Sequence, residues 1–227
     1  MTKPLIVAID GPSGVGKTTT SKLVARELAI PHIDTGAMYR AIGLQARREA
    51  IDTHDAAALE PLAQRTRIEF VPGDPPRVIL DGEDVTALIR TPDISMAASD
   101  VSSIPGVRRV LVQLQRELGH RQGGVLEGRD IGTKVFPDTP HKFFLTARPE
   151  VRAERRHREL LAKGEADHDL ATVLAGMARR DEQDSTRADS PLTCDETYTI
   201  VDTSALTIPE VVRTIVEAVR KRSGTVP

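Results

Sequence analysis

The stretch Gly11-Pro12-Ser13-Gly14-Val15-Gly16-Lys17-Thr18 fills the pattern G-x-x-x-x-G-K-[ST] completely. These residue types at this spacing suit one task, the holding of a polyphosphate. Glycines let backbone N–H groups turn inward around phosphate oxygens where Cβ atoms would obstruct the approach. A helix beginning near Lys17 adds its positive dipole end. Lys17 is expected to reach the β- and γ-phosphates, and the Thr18 hydroxyl to ligate Mg²⁺. Together with Thr19, these eight residues form the expected nucleotide-binding set.

A second group of residues bears on where the phosphate goes. Arg40, Arg90, Arg108, Arg129, Arg148, Arg152, Arg155, Arg156, Arg179, Arg180 and Arg187 stand beside expected loop ends. Guanidinium is a rigid, permanently charged fork suited to phosphate. Transfer between two phosphates gathers negative charge that fixed cations must neutralise, and an anionic acceptor needs no strong general base. The chain has neither an Asn-Lys-x-Asp guanine-reading segment nor a Ser-Gly-Gly-Gln signature. A kinase of a phosphorylated acceptor therefore fits better than a switch or a transport ATPase. Single arginines carry less weight, because the Arg/Glu mixture of 151–160 also reads as a solvated, salt-bridged helix face. The histidines, His32, His54, His120, His141, His157 and His168, lack zinc-ligand spacing and read as isolated exposed side chains.

The elements that must carry these residues follow from periodicity. Leu5–Ile9 is a short apolar run ending at the glycine loop, as in a strand buried on both faces. A helix is expected over Lys17–Leu28 and a short strand over His32–Asp34. Further buried strands are expected at Gly124–Glu127, Lys142–Thr146 and Tyr198–Val201. Between them, helices are expected at Val107–Leu118, Glu150–Ala162 and Leu170–Glu182. Thr207-Ile208-Pro209-Glu210 is a capping-box pattern opening a last helix. Strands alternating with helices imply a parallel α/β sheet. The stretch Ile68–Val71, Pro72–Pro76, Arg77–Asp81 breaks the alternation and reads as two strands around a turn, with a third short strand near Val85. The tail from Lys221 to Pro227 is expected to fray.

Composition narrows the class. The 227 residues suit one large domain with an insertion, and 28% charged residues is ordinary for a soluble chain. A net charge of −2 gives no general attraction to nucleic acid or anionic membrane, and 3% aromatic content with no Trp argues against a base-stacking platform. The N-terminal apolar run is too short for a signal h-region or a membrane span. The lone Cys194 suits a reducing compartment, so a cytoplasmic protein is expected.

Several blocks resemble bacterial cytidylate kinases, of the nucleoside monophosphate kinase group. They are Ile9–Gly14, Asp34-Thr35-Gly36-Ala37-Met38-Tyr39-Arg40, Glu127-Gly128-Arg129-Asp130-Ile131-Gly132-Thr133, Val135–Asp138, and Arg179-Arg180-Asp181 through Asp184-Ser185-Thr186-Arg187 to Pro191-Leu192. The resemblance spans Ile6 to about Val219. It implies an α/β fold with a parallel five-stranded P-loop NTPase sheet and flanking helices. It also implies a monophosphate-binding subdomain with a small antiparallel β insertion, and a helical lid. The expected division is a core of 1–36, 106–149 and 188–227, an insertion of 37–105 with its β patch near 66–90, and a lid near 150–187.

By resemblance, Lys17, Arg129, Arg180 and Arg187 serve the transfer, while Arg40, Arg129, Arg180 and Arg187 hold the acceptor phosphate with Thr35 alongside. Asp184 with Arg180 holds the ribose, and Ser99, Arg108 and Asp130 read the base. A carboxylate suits the N4 amino donor of cytosine, and guanidinium suits N3 and O2. Unaided by the resemblance, Asp130 also reads as a helix N-cap or an arginine partner, and Ser99 as small packing or a cap. Glu127 stands where the family often has Asp, Thr35 where it often has Ser, and Lys134 is an added charge; no metal role is assigned to Glu127. The implied substrates are ATP with Mg²⁺ and CMP or dCMP, with no nucleic acid or membrane partner and a monomeric state. Other small-acceptor kinases, for UMP, AMP or shikimate, and a nucleotide-dependent binding module remain open at this point.

Overall fold

The computed structural model describes residues 4–71, 73, 76–162, 164 and 169–224. Pro72, Asp74 and Pro75 of the expected turn, His168, and the last three residues of the tail lie outside them. The described chain forms two compact units, Ile33–Gly123 and Leu5–His32 with Gly124 onward.

The second unit carries most of a five-stranded parallel sheet. Its strands are β1 (Ile6–Asp10), β2 (His32–Asp34, which runs on into the other unit), β6 (Gly124–Glu127), β7 (Lys142–Thr146) and β8 (Thr199–Asp202), in the order β2-β6-β1-β7-β8. β1 is central, parallel to β6 and β7, and β8 is parallel to β7. Val7 and Ile9 of β1, Val125, Phe143, Leu145 and Val201 pack with helices α1 (Lys17–Glu27) and α8 (Ile208–Arg222) through Val24, Val212, Ile215 and Val219. Pale periodicity in α1 and strong periodicity in α8 meet on the same apolar layer. At the start of α8, Glu210 accepts from the Thr207 backbone N–H at 2.8 Å, the expected capping box. Helices α6 (Pro149–Ala162) and α7 (Leu170–Thr186) pack on each other through Ala153, Leu160, Val173 and Met177.

Within Ile33–Gly123, helices α2 (Thr35–Arg48) and α3 (Ala56–Arg65) precede strands β3 (Ile68–Val71), β4 (Arg77–Leu80) and β5 (Glu83–Asp84), which form an antiparallel sheet in that order. A 3-10 turn, Leu88–Arg90, leads to α4 (Pro92–Ser102) and α5 (Pro105–Gln122). α2 lies close on α4 at Gly43, where an added Cβ would come within 3.1 Å of the Ala97 Cβ.

Three sequence expectations shift. The last strand starts one residue later than Tyr198, because the Tyr198 backbone N–H closes a turn onto the Asp195 carbonyl at 3.2 Å. Helix α5 starts two residues earlier than expected, since Pro105 is suited to the first helical turn, and it runs on to Gln122. His32 and His141 are not exposed: the His32 side chain is 10% exposed and lies 2.9 Å from Glu127 Oε1, and His141 is buried. Among the described residues no helix is long and apolar enough to cross a membrane.

Candidate nucleotide site

β1 delivers Gly11, and the loop beyond it is shaped by close approach. A Cβ on Gly11, at φ +144°, would stand 2.2 Å from the Leu145 carbonyl oxygen, so no other residue fits there. A Cβ on Gly14, at φ +76°, would meet the Met177 methyl at 2.7 Å and the Arg152 Cβ at 3.1 Å. α6 and α7 thus back the phosphate loop directly. Arg152, itself buried, donates to the Ser13 carbonyl at 3.2 Å and to Asp181 at 2.5 Å, tying both helices to the loop backbone. Ser13 Oγ is buried and makes no hydrogen bond within the described protein, which suits a hydroxyl meant for a phosphate oxygen. Pro12 and Val15 complete the turn, with Val15 buried in the core, and Thr19 follows in the first turn of α1.

Gly16, at φ 88°, opens α1 with no side-chain cap, leaving the helix's first N–H groups to the loop. Lys17 is 8% exposed and its Nζ donates to the Gly11 carbonyl at 2.7 Å. The ammonium therefore braces its own loop, not an outward reach. Burial lowers its pKa well below the ordinary lysine value, and Arg129 and Arg180 press the same way against Glu127 and Asp184. An incoming polyphosphate would supply the opposing charge.

Thr18 Oγ1 donates to Glu127 Oε2 at 2.9 Å, and Glu127 Oε1 faces His32 Nε2 at 2.9 Å. Glu127, at the end of β6, is only 4% exposed. Neither Glu127 nor His32 stands out in its local sequence; the one signal there is a carboxylate at a strand end beside the phosphate-loop strand.

Beyond Glu127, the chain turns through Gly128-Arg129-Asp130 into a π-helical turn, Ile131–Val135. Asp10 fixes that turn. Its two oxygens accept from the Ile131 and Gly132 N–H groups at 3.0 and 2.9 Å and from the Tyr198 hydroxyl at 2.7 Å. Asp10 is wholly buried, and burial raises its pKa to about 6 despite those three donors. Arg129 Nε donates to Asp184 Oδ2 at 2.8 Å, Arg187 lies 3.6 Å from Asp184 and 3.8 Å from Asp130, and Arg187 Nε donates to the Ser190 carbonyl at 2.6 Å. Burial pushes the Asp184 carboxyl up, but Arg129, Arg180 and Arg187 together outweigh it and hold it below the ordinary range. Arg129 in turn loses from burial and gains more from Asp184, Asp181 and Asp10 together. Of the expected set in this unit, Arg129, Asp130, Asp184 and Arg187 stand together, and the charge of Arg180 is felt at both Lys17 and Asp184. Lys134 pairs at 3.6 Å with Asp189.

In the Ile33–Gly123 unit, Asp34 caps α2 by accepting from the Ala37 N–H at 3.1 Å and binds Arg40 Nη2 at 2.7 Å. Thr35 is buried in the first turn of that helix. Arg108 on α5 is 2% exposed, lies over the Tyr39 ring at 5.6 Å from its centroid, and donates to the Ser102 carbonyl at 3.3 Å. Ser99 accepts through its carbonyl from Ser102 Oγ at 2.8 Å, on α4. A guanidinium buried that deeply needs anionic or polar company to repay its desolvation.

Residues 7–221 match the family model described as cytidylate kinase. A cytidylate kinase of Desulforamulus reducens is 49% identical over 97% of this chain and 99% of that protein. One of Mycobacterium leprae is 48% identical over 98% of each. A crystal structure of an uncharacterized protein from Eubacterium ventriosum shares the fold, with a TM-score of 0.55 at 14% identity over 97% of this chain and all of that one. With relatives this similar along nearly its whole length, the chain belongs to the cytidylate kinase family.

Proposed function

We propose that this protein transfers the γ-phosphoryl group of ATP to CMP and dCMP, giving ADP and CDP or dCDP. The observation that carries this reading is the gathering in one unit of the buried Lys17 with the half-buried Arg129, Arg180 and Arg187, held in place by Glu127, Asp130 and Asp184. Such cations are stabilised by, and stabilise, converging phosphates. Residues 11–19 hold the ATP phosphates, with Ser13 Oγ and Lys17 donating to them. Arg129, Arg180 and Arg187 neutralise the transferring group, and Asp184 fixes Arg129 and takes the ribose with Arg180. Thr35 and Arg40 serve the acceptor phosphate. Asp130 accepts from the cytosine amino group, and Arg108 and Ser99 serve the ring's acceptor edge.

The Thr18 hydroxyl and the Glu127 carboxylate are hard oxygen donors 2.9 Å apart at the foot of the loop, a set that fits Mg²⁺, which keeps most of its water ligands. When bound there, Mg²⁺ supplies positive charge to the β- and γ-phosphates. The α6–α7 region, near 150–187, is the lid in this reading, and closure excludes water as a rival acceptor. We further assign a cytoplasmic, monomeric state.

The test is ADP release with CMP, dCMP, UMP, AMP and shikimate offered singly. Rapid release is expected with CMP and dCMP and little with the rest. Slow hydrolysis indifferent to every acceptor would defeat the reading.

A further inference from the structure

We propose that His32 is a positioning residue for the cation that accompanies ATP, acting through Glu127 and Thr18. The inference rests on the Mg²⁺·ATP reading above. A carboxylate can only accept, so the 2.9 Å contact requires His32 Nε2 to carry the proton and donate to Glu127 Oε1. The other oxygen, Oε2, takes the proton of Thr18 Oγ1 at 2.9 Å. Directing that proton at Glu127 turns the lone pairs of the Thr18 oxygen elsewhere, where they can meet a cation. A glutamate side chain has one more rotatable bond than an aspartate, so its carboxylate needs a second anchor to stay in register with Thr18. His32, on the strand next to β6, supplies that anchor from a side chain only 10% exposed, against 5% for Glu127. Buried partners of this kind orient a metal's ligands, and their removal typically weakens metal affinity by about 10–100-fold.

The experiment is titration calorimetry on the full chain with ATP in excess Mg²⁺ and with ATP in EDTA. The proteins are wild type, His32→Phe, His32→Gln, Glu127→Gln and the double variant His32→Phe/Glu127→Gln. His32→Phe keeps bulk but loses the donor, and should weaken Mg²⁺·ATP about tenfold while leaving ATP in EDTA nearly unchanged. His32→Gln restores an N–H donor and should recover most of the loss. Glu127→Gln cannot accept at both ends and should separate the two ATP forms as His32→Phe does, without touching the histidine. The double variant should be no worse than Glu127→Gln, since one chain of contacts cannot be lost twice. Equal weakening of both ATP forms by His32→Phe, no change in either, or fully additive losses would overturn the inference. A wild type that binds ATP equally with and without Mg²⁺ would overturn the Mg²⁺·ATP reading itself, and this inference with it.

Discussion

Two buried carboxylates in one unit, Asp10 and Asp184, have similar depth and opposite electrostatics. Asp10 accepts hydrogen bonds from neutral donors, two backbone N–H groups and a phenol, and burial with the nearby Asp130 charge pushes its pKa up to about 6. Asp184 is surrounded by Arg129, Arg180 and Arg187 and is held below the ordinary carboxylate range. Depth therefore does not separate scaffold from site. The charge of the partners does: a carboxylate solvated by neutral dipoles holds a turn in place, whereas one embedded among guanidiniums fixes cations that a phosphate can use.

The harshest way to break this contrast is Arg129→Ala. Removing the 2.8 Å partner of Asp184 takes one fixed cation from the proposed transfer site, and turnover with CMP should fall about a thousandfold in steady-state assays. A loss under about tenfold would place Arg129 with the scaffold. Next comes Asp10→Asn, read by urea unfolding from pH 4 to 7. The folded pKa of Asp10 lies above its ordinary 3.8, so its contribution to stability is complete below that value and is lost as pH rises through about 6. Wild type should therefore lose about 3 kcal/mol across that window relative to the asparagine variant, in the direction opposite to Asp184, whose contribution fades on acidification. A difference independent of pH would mean that Asp10 is not the titrating group. The mildest test is Tyr198→Phe. Losing one neutral donor should cost about 1 kcal/mol and move the Asp10 window to higher pH, visible in the same unfolding series.

Much of the fold could be read from local pattern, because its signals are local. The phosphate loop declares itself through glycines whose conformations admit nothing larger, as Gly11 beside Leu145 shows. The strands at Gly124–Glu127 and Lys142–Thr146 match their apolar runs, since central parallel strands are buried on both faces. What stayed hidden depends on contacts between distant positions. Asp10 meets Gly132 across 122 positions and Tyr198 across 188, and His32 meets Glu127 across 95. Nothing in the neighbourhood of His32 distinguishes it from a surface histidine; only the adjacency of its strand to β6 does. Arg152 was legible as a charge on a mixed helix, but its hold on the Ser13 carbonyl was not.

The strand order has a consequence for how the protein is made. β1 is synthesised well ahead of its two sheet neighbours, the strands 124–127 and 142–146. At about 5–20 residues per second, the apolar Ile6–Ile9 segment waits on the order of ten seconds for both partners. During that interval α2, α3, α4 and α5 are synthesised and can pack on one another. The earliest-made piece of the phosphate cradle thus waits longest for its sheet partners, and chaperone demand should concentrate on that strand during translation.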